Sequence, residues 1–285
     1  MSLLTCQGKS RWPARAARAR VPDESAQALP MLDIQRLPAF DDNYLWLLRE
    51  PSSGAVAVVD PGDAEVVLAA LSPLGGRLDW ILNTHHHPDH VGGNLALKQA
   101  TGCRIAGPAK DAARFPGIDR GVVEGDTLAL GASSARVIET PGHTRGHISW
   151  WFEAEHALFC GDTLFSLGCG RLFEGDADTM WRSLSKLMAL PDATRVYCAH
   201  EYTLANARFA LAVDPDHAPL RARFAEAKAL RARGAPTVPS TLGEEKACNP
   251  FLRAGDPALA ARLGLAGASA AAVFGELRRR KDGFR

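Results

Sequence analysis

Short apolar runs and segments with helical spacing alternate along residues 31–200. The apolar runs have the length of single strands, which favours buried β-strands. Helical spacing at residues 64–71 and again after residue 90 predicts intervening helices. The predicted strands span residues 44–48, 55–60, 78–83, 104–106, 135–139, 147–152, 157–160 and 195–199. The alternation predicts a layered α/β (α+β) domain over residues 31–200.

The pattern changes after residue 200, where segments rich in Ala, Arg and Leu follow one another. They predict helices at residues 204–213, 218–233 and 269–280, with a Pro-containing linker at 235–239. We therefore expect a smaller C-terminal helical domain over residues 201–285.

Residues 1–30 show no apolar periodicity that could pack against a core, and we expect a disordered extension there. Their basic residues are Lys9, Arg11, Arg15, Arg18 and Arg20, against only two acidic residues. An organellar transit segment would have this composition, and so would an upstream start codon with Met31 as the true first residue. The pattern of apolar runs that is typical of a folded domain begins abruptly at Met31, which favours the second interpretation.

Composition narrows the classes of protein to consider. The chain has 285 residues, 46% hydrophobic and 23% charged, with a formal net charge of +1. Such a balance is typical of a globular protein and gives no long-range attraction for polyanions, so we expect no nucleic-acid partner. No apolar stretch approaches the roughly 18 residues that cross a bilayer, so we expect no membrane partner either.

The six cysteines are scattered and form no C-x-x-C pair. We expect reduced thiols and, with no apolar secretory signal at the N-terminus, a cytoplasmic protein. Organellar import is the alternative if residues 1–30 are a transit segment. We also expect a monomer.

Seven histidine and aspartate side chains follow the ends of predicted strands, where distant parts of a sheet protein converge. They are His85, His87, Asp89, His90, His143, Asp162 and His200. Alternate side chains of an extended segment share a direction, so His85 and His87 can reach one ion while His86 points away. We predict that His86 is not a ligand.

Two coordination sets account for these residues. His143 would complete a set with His85 and His87, and His200 would complete a second with Asp89 and His90. Asp162 is the natural bridge, because its carboxylate can offer one oxygen to each ion. A single His or Asp at a strand end is usually a cap or a surface residue, but two sets completed together favour two divalent ions. Imidazole and carboxylate ligands suit zinc, with iron or manganese as alternatives.

Three further histidines complete no set, and we expect structural or solvent-exposed roles for them. They are His147, His156 and His217, of which His147 could hydrogen-bond near the site. Asp60 ends a predicted strand, where orienting a ligand and capping a turn are equally reasonable roles.

The H-x-H-x-D-H pattern at residues 85–90 resembles the signature of the metallo-β-lactamase superfamily. The closer resemblance is to the hydroxyacylglutathione hydrolases, or glyoxalase II. It is carried by residues 39–44, 160–171, 197–203, 239–242 and 249–253. The resemblance implies an αββα sandwich with a C-terminal helical substrate domain.

The resemblance also implies a glutathione-binding region built from Arg171, Tyr202, Arg278 and Lys281. Basic residues near a helix end are often merely solvated, but Arg278 and Lys281 lie three positions apart and so share a helix face. Arg279 and Arg280 fit the solvated interpretation better. Phe173 stands where the family often has a tyrosine, so one hydroxyl contact to the substrate is expected to be lost.

The implied reaction is hydrolysis of S-(2-hydroxyacyl)glutathione, with S-D-lactoylglutathione as the expected substrate, to glutathione and D-lactate in methylglyoxal detoxification. A hydroxide shared between the two ions would be the nucleophile, because a metal lowers the pKa of water to about 7. We expect this metal-bridging hydroxide to be held by Asp162, His85, His87, Asp89 and His90.

Three other functions fit the same loop. An iron-dependent glutathione persulfide dioxygenase resembles this scaffold, and the helical segment that ends in Arg278 to Lys281 favours the hydrolase over it. A tRNA-processing nuclease is disfavoured by the near-neutral charge. A catalytically silent metal-binding protein would usually have lost a ligand, and this chain has kept all seven.

Overall fold

The computed structural model describes residues 32–284. Its first sheet has six strands, in spatial order β1 to β6. Strands β1 to β3 pair antiparallel, and β3 to β6 pair parallel. The strands are β1 (Asp33–Ala39), β2 (Asn43–Arg49), β3 (Val56–Val59), β4 (Trp80–Leu82), β5 (Arg104–Pro108) and β6 (Arg120–Val122). The helices between them are α1 (Ala64–Leu71), α2 (Pro88–Val91) and α3 (Asn94–Thr101).

A second six-stranded sheet follows along the chain. Its elements begin with β7 (Thr127–Leu130), β8 (Ser133–Glu139), β9 (Ile148–Phe152) and β10 (Ala157–Gly161), then a hairpin of β11 (Leu164–Phe165) and β12 (Gly168–Cys169), and finally β13 (Arg195–Cys198) and β14 (Ser240–Thr241). The spatial order is β14-β13-β10-β9-β8-β7, and β10 pairs parallel with β13. The ends of β10 and β13 therefore lie side by side at one edge of the sandwich.

Six further helices complete the described chain. They are α4 (Ala177–Met188), α5 (Thr203–Val213), α6 (Ala218–Ala232), α7 (Leu242–Cys248), α8 (Pro257–Arg262) and α9 (Ala270–Asp282). Helices α4 and α9 pack against each other. The side chains of Asp176 and Ser269 accept hydrogen bonds from the first-turn amides of these two helices, which fixes where each begins.

Both faces of strand β2 are buried, which explains its unbroken apolar sequence. Tyr44, Trp46 and Leu48 face the core between the two sheets. Leu45 and Leu47 face the opposite way, into a second core under α1 and α3. A strand covered on both faces has no solvent side to mark with polar residues. This layering of helix, sheet, sheet and helix confirms the predicted α/β sandwich.

Several elements were absent from the sequence prediction. Strand β1 was missed because Asp33 and Gln35 occupy exposed positions and Arg36 occupies a half-buried one, so its apolar pattern is weak. Strands β6, β7 and β14 and helices α4, α7 and α8 were also missed, and most of these are short. The predicted extension at residues 1–30 lies outside the described residues, and the division at residue 200 stays a prediction.

Two further observations bear on earlier expectations. Within residues 32–284, Cys103, Cys160, Cys169, Cys198 and Cys248 are free thiols, and the expected reducing compartment stays a prediction. In the same range, no helix is both long and apolar enough to cross a membrane.

Candidate metal centre

The seven predicted donor side chains lie together at one edge of the sandwich. Four of them follow the ends of strands, as the sequence predicted. His85 comes after β4, His143 after β8, Asp162 directly after β10 and His200 after β13. Asp89 and His90 are carried by the short helix α2. The sheet therefore brings together residues that lie far apart in the sequence.

The first donor set is His85, His87 and His143, whose ring nitrogens lie within 4.8 Å of one another. His87 Nδ1 is 3.0 Å from both His85 Nε2 and His143 Nε2. Burial lowers the pKa of His87 to about 4 and holds the pKa of His85 well below its usual value. The rings are therefore neutral, with nitrogen lone pairs free to bind a cation.

The second donor set is Asp89, His90 and His200. Asp89 Oδ2 lies 3.4 Å from His90 Nε2 and 3.5 Å from His200 Nε2. Burial alone would lower the pKa of His90, but the carboxylates of Asp162 and Asp60 raise it well above its usual value. The surroundings of the second donor set therefore strongly favour a positive charge.

Asp162 lies between the two sets and offers one oxygen to each. Its Oδ2 is 3.4 Å from His143 Nε2, and its Oδ1 is 3.6 Å from His90 Nε2 and 3.4 Å from His200 Nε2. Among residues 32–284, neither Asp162 Oδ1 nor His90 Nε2 has a hydrogen-bond partner, although both are buried. Buried polar atoms without partners are costly, and a cation between them would satisfy both. The donor sets and the fold thus indicate a dinuclear metal site.

Carboxylates lie behind the histidine rings of the second donor set. Asp60 accepts hydrogen bonds from Thr84 N and Oγ1 at 2.7 Å, and its Oδ2 lies 3.1 Å from His90 Nδ1. Asp60 thus holds the turn at Thr84 and also lies against His90, so the structure is compatible with both roles considered for it. His200 Nδ1 lies 2.8 Å from Asp42 Oδ1. Such partners fix which nitrogen faces the ion.

His147 hydrogen-bonds beside the donor sets, the possibility that the sequence left open for it. It is 1% exposed, and its Nε2 accepts a hydrogen bond from Asp162 N at 3.1 Å. Its ring stacks on His85 with centroids 4.8 Å apart. Burial holds the pKa of His147 well below its usual value, so the ring is neutral and can accept through Nε2. His147 therefore supports the aspartate between the two sets.

His86 points away from the donor sets, as predicted. Its Nδ1 lies 3.5 Å from Asp111 Oδ2, and its Nε2 lies 3.8 Å from Glu174 Oε1. The same carboxylates accept hydrogen bonds from Gly146 N and Arg145 N in the loop that carries His143. None of the donor groups found in the described chain includes His86.

A cavity of about 420 Å³ opens beside the donor sets. Its lining includes His143 and Asp162 on the metal side, together with the five residues expected to bind substrate: Arg171, Phe173, Tyr202, Arg278 and Lys281. The ring of Phe173 is 61% exposed and lies against His87 and His143, with centroids 5.6 and 5.2 Å away. Tyr202 stacks on His200 with centroids 4.7 Å apart.

The other predicted surface residues lie away from this cavity. Arg279 and Arg280 pair with Glu276, which fits the solvated interpretation. His156 is exposed, and His217 Nε2 lies 2.7 Å from the carbonyl oxygen of Ala247.

Comparison with known families agrees with the fold. A family model described as the metallo-β-lactamase superfamily matches residues 40–200. A second, described as the hydroxyacylglutathione hydrolase C-terminus, matches residues 201–284. The crystal structure of ETHE1 from Myxococcus xanthus superposes with a TM-score of 0.62 at 24% identity, covering 87% of this chain and 90% of that one. The fold and site therefore define a metallo-β-lactamase superfamily protein.

Curated relatives narrow this class. A hydroxyacylglutathione hydrolase from Methylococcus capsulatus is 59% identical over 90% of this chain and 100% of its own length. One from Rhodospirillum rubrum is 57% identical over 89% of this chain and 99% of its own length. The chain belongs to the hydroxyacylglutathione hydrolase family. These relatives do not favour the persulfide dioxygenase alternative.

Proposed function

We propose that this chain hydrolyses the thioester of S-(2-hydroxyacyl)glutathione, with S-D-lactoylglutathione as its substrate, and releases glutathione and D-lactate. One observation carries the proposal. A single cavity joins the donor sets to the cationic side chains of Arg171, Arg278 and Lys281. The same cavity can thus hold an anionic peptide at one end and a reacting acyl group at the other. The reaction would be the second step of methylglyoxal detoxification.

We assign two divalent ions to the donor sets. His85, His87, His143 and Asp162 would hold the first ion, and Asp89, His90, Asp162 and His200 the second. Bound there, the ions would polarise the thioester carbonyl and lower the pKa of a water molecule to about 7. The ligand types suit zinc, with iron and manganese as alternatives that elemental analysis of purified protein distinguishes.

The chain supplies positioning for this chemistry. Burial keeps the rings of His85 and His87 neutral, so both present lone pairs to the first ion. Asp60 and Asp42 hold His90 and His200 in fixed orientations from behind. A donor set held in place before the substrate arrives needs little reorganisation during the reaction.

The substrate end of the cavity provides charge and an apolar cover. Arg171 and Lys281 would attract the carboxylates of the glutathione moiety. Phe173 would cover the acyl group on the side of His87 and His143, without the hydroxyl that a tyrosine would offer. We therefore expect weaker substrate binding than with a tyrosine, and the same chemistry.

A cysteine nucleophile is not required. Cys169 lines the cavity, and burial raises the pKa of its thiol to about 11. A thiol with that pKa is protonated at neutral pH and is therefore a poor nucleophile. The proposed reaction forms no covalent intermediate with the chain.

The test is thioester hydrolysis by purified protein loaded with zinc and followed by ultraviolet absorbance. We expect turnover of S-D-lactoylglutathione, and loss of both metal content and turnover in Asp162→Ala. Lys281→Ala should raise KM severalfold, whereas Arg279→Ala, a 72% exposed control on the same helix, should not. A protein with both ions bound that does not hydrolyse the thioester would refute the proposed function.

A further inference from the structure

Two carboxylates from different parts of the chain hold the loop that carries His143. Glu174 Oε2 accepts a hydrogen bond from Arg145 N at 2.9 Å, and Asp111 Oδ2 accepts one from Gly146 N at 3.1 Å. Asp111 comes after β5 in the chain, whereas Glu174 comes after the hairpin of β11 and β12. The amides two and three residues after His143 are thus bound by side chains from outside their own loop.

The approach of Asp111 to this loop requires a glycine. A Cβ at Gly146 would lie 2.5 Å from Asp111 Oδ2 and 2.7 Å from its Cγ, too close for a side chain to fit without displacing the carboxylate. Among residues 32–284, the amides of Arg145 and Gly146 have no other acceptor. The position of this part of the loop therefore depends on the two carboxylates.

Arg114 lies against both carboxylates. Its Nη2 is 2.7 Å from Glu174 Oε1, and its Nη1 is 3.7 Å from Asp111 Oδ1. The Arg114 guanidinium lowers the pKa of Glu174 to about 2, so this carboxylate is ionised at neutral pH. Ionised acceptors form stronger hydrogen bonds than neutral ones. Each carboxylate thus turns one oxygen toward the arginine and the other toward the loop of His143.

His86 connects the same carboxylates to the other loop of the first donor set. Its Nδ1 faces Asp111 at 3.5 Å, and its Nε2 faces Glu174 at 3.8 Å. The residues on either side of it, His85 and His87, are donors of the first set. Alternate residues of an extended segment point in opposite directions, so the two donors face the ion while His86 faces the carboxylates. Asp111 and Glu174 therefore contact both loops that supply this set.

We propose that Asp111 and Glu174 are positioning residues for the first ion. They fix the loop of His143 relative to the loop of His85 and His87, so that the three ring nitrogens converge before an ion binds. His143 belongs to the first set only, so a displacement of its loop should weaken the first ion and spare the second. This inference rests on the proposed assignment of one ion to each donor set.

The experiment removes cobalt from the cobalt-loaded, full-length protein with rising concentrations of a chelator, and follows the visible absorption of the bound ions. The step that weakens in His143→Ala identifies the first ion. We expect Glu174→Ala to weaken the same step about tenfold, the lower value for loss of a residue that orients a metal ligand. Glutamine keeps an oxygen that can accept from Arg145 N, so Glu174→Gln should restore most of the affinity.

A second variant tests the other carboxylate. Asp111→Ala leaves the amide of Gly146 without its acceptor and should also weaken the first ion about tenfold. The proposal can therefore be tested even where one of the two alanine variants does not fold.

Asp79→Ala is the matched control for a merely structural role. Asp79 Oδ2 also accepts from a backbone amide, Val56 N, at 2.8 Å, and from Arg77 Nε at 2.9 Å. Asp79 precedes β4, however, and so lies at the opposite end of this strand from His85. We expect Asp79→Ala to lower the unfolding free energy in urea and to leave both cobalt affinities at their wild-type values.

Three results would contradict the proposal. Wild-type cobalt affinities in Glu174→Ala and Asp111→Ala, or equal losses at both steps, would overturn the positioning role and leave the hydrolase intact. A tenfold loss in Asp79→Ala as well would overturn it too, because cobalt affinity would then follow stability alone. A wild type that binds fewer than two cobalt ions would overturn the assignment of ions to the two sets, and this inference with it.

Discussion

Replacing His147 by phenylalanine removes one hydrogen bond behind the metal centre and keeps a ring of similar size. In the wild type, His147 Nε2 accepts from Asp162 N at 3.1 Å. Its Nδ1 lies 3.0 Å from Thr140 Oγ1 and 3.1 Å from Thr163 Oγ1, and both hydroxyls have other partners. The amide of Asp162 is therefore the group that loses most in His147→Phe.

The expected magnitude follows from that amide. A buried donor left without an acceptor costs about 1–3 kcal/mol. The amide that loses its acceptor belongs to Asp162, whose carboxylate offers one oxygen to each donor set. The substitution should therefore also change the orientation of that carboxylate. Loss of a residue that orients a metal ligand typically lowers metal affinity by about 10- to 100-fold. We expect His147→Phe to show both effects.

The assay is competition for zinc between the protein, first stripped of metal, and a chromophoric chelator, together with urea unfolding of the stripped protein. His147→Gln is the matched variant, because its side-chain oxygen can accept from Asp162 N and should restore part of the affinity. Zinc affinity and unfolding free energy equal to wild type in His147→Phe would refute the orienting role.

Two further predictions concern packing and pH. A Cβ at Gly170 would overlap the carbonyl oxygen of Asp162, so Gly170→Ala should lower the unfolding free energy by about 3 kcal/mol and reduce zinc content. Gly255→Ala is the control, because the atom nearest to its added Cβ is 4.0 Å away. Equal losses of unfolding free energy in the two variants would contradict the packing explanation. Burial raises the pKa of Glu245 above 4.5, so the folded state holds this proton more tightly than the unfolded state does, and wild-type stability should fall as pH rises from 4.5 through the raised pKa. Urea unfolding should show Glu245→Gln gaining stability relative to wild type over that window, and a constant difference would show that Glu245 titrates normally.

The sequence predicted the sandwich and the donor loops for a physical reason. Strands covered on both faces leave continuous apolar runs, and chemistry-bearing residues follow directly where those runs end. His85 and Asp162 could therefore be placed from their own neighbours in the sequence. Strand β1 could not, because its polar and apolar residues alternate imperfectly and it includes a proline.

Orienting contacts were less predictable than ligands. Asp42 and His200 are 158 positions apart, and no spacing rule connects them before the sheets are assembled. His147 lies four positions after the predicted ligand His143. Its hydrogen-bond partner, however, is the backbone amide of Asp162, and a backbone amide has no signature in the sequence. The pairing of Arg278 with Asp282 fits a solvated helix face equally well, so only the fold shows that it lies in the cavity.

The turn at the end of β10 couples the two donor sets, and Gly161, the last residue of this strand, shows how closely they are packed. Gly161 has a φ of +46°, and a Cβ there would overlap the hydroxyl of Thr84 and approach His147 Nε2 to 2.9 Å. Thr84 is held by Asp60, which also faces His90 in the second set, while His147 stacks on a ring of the first set. A displacement of this one turn would move the oxygens of Asp162 relative to both sets at once. Metal binding at the two sites should therefore weaken together when the turn is disturbed, because Asp162 offers an oxygen to each set.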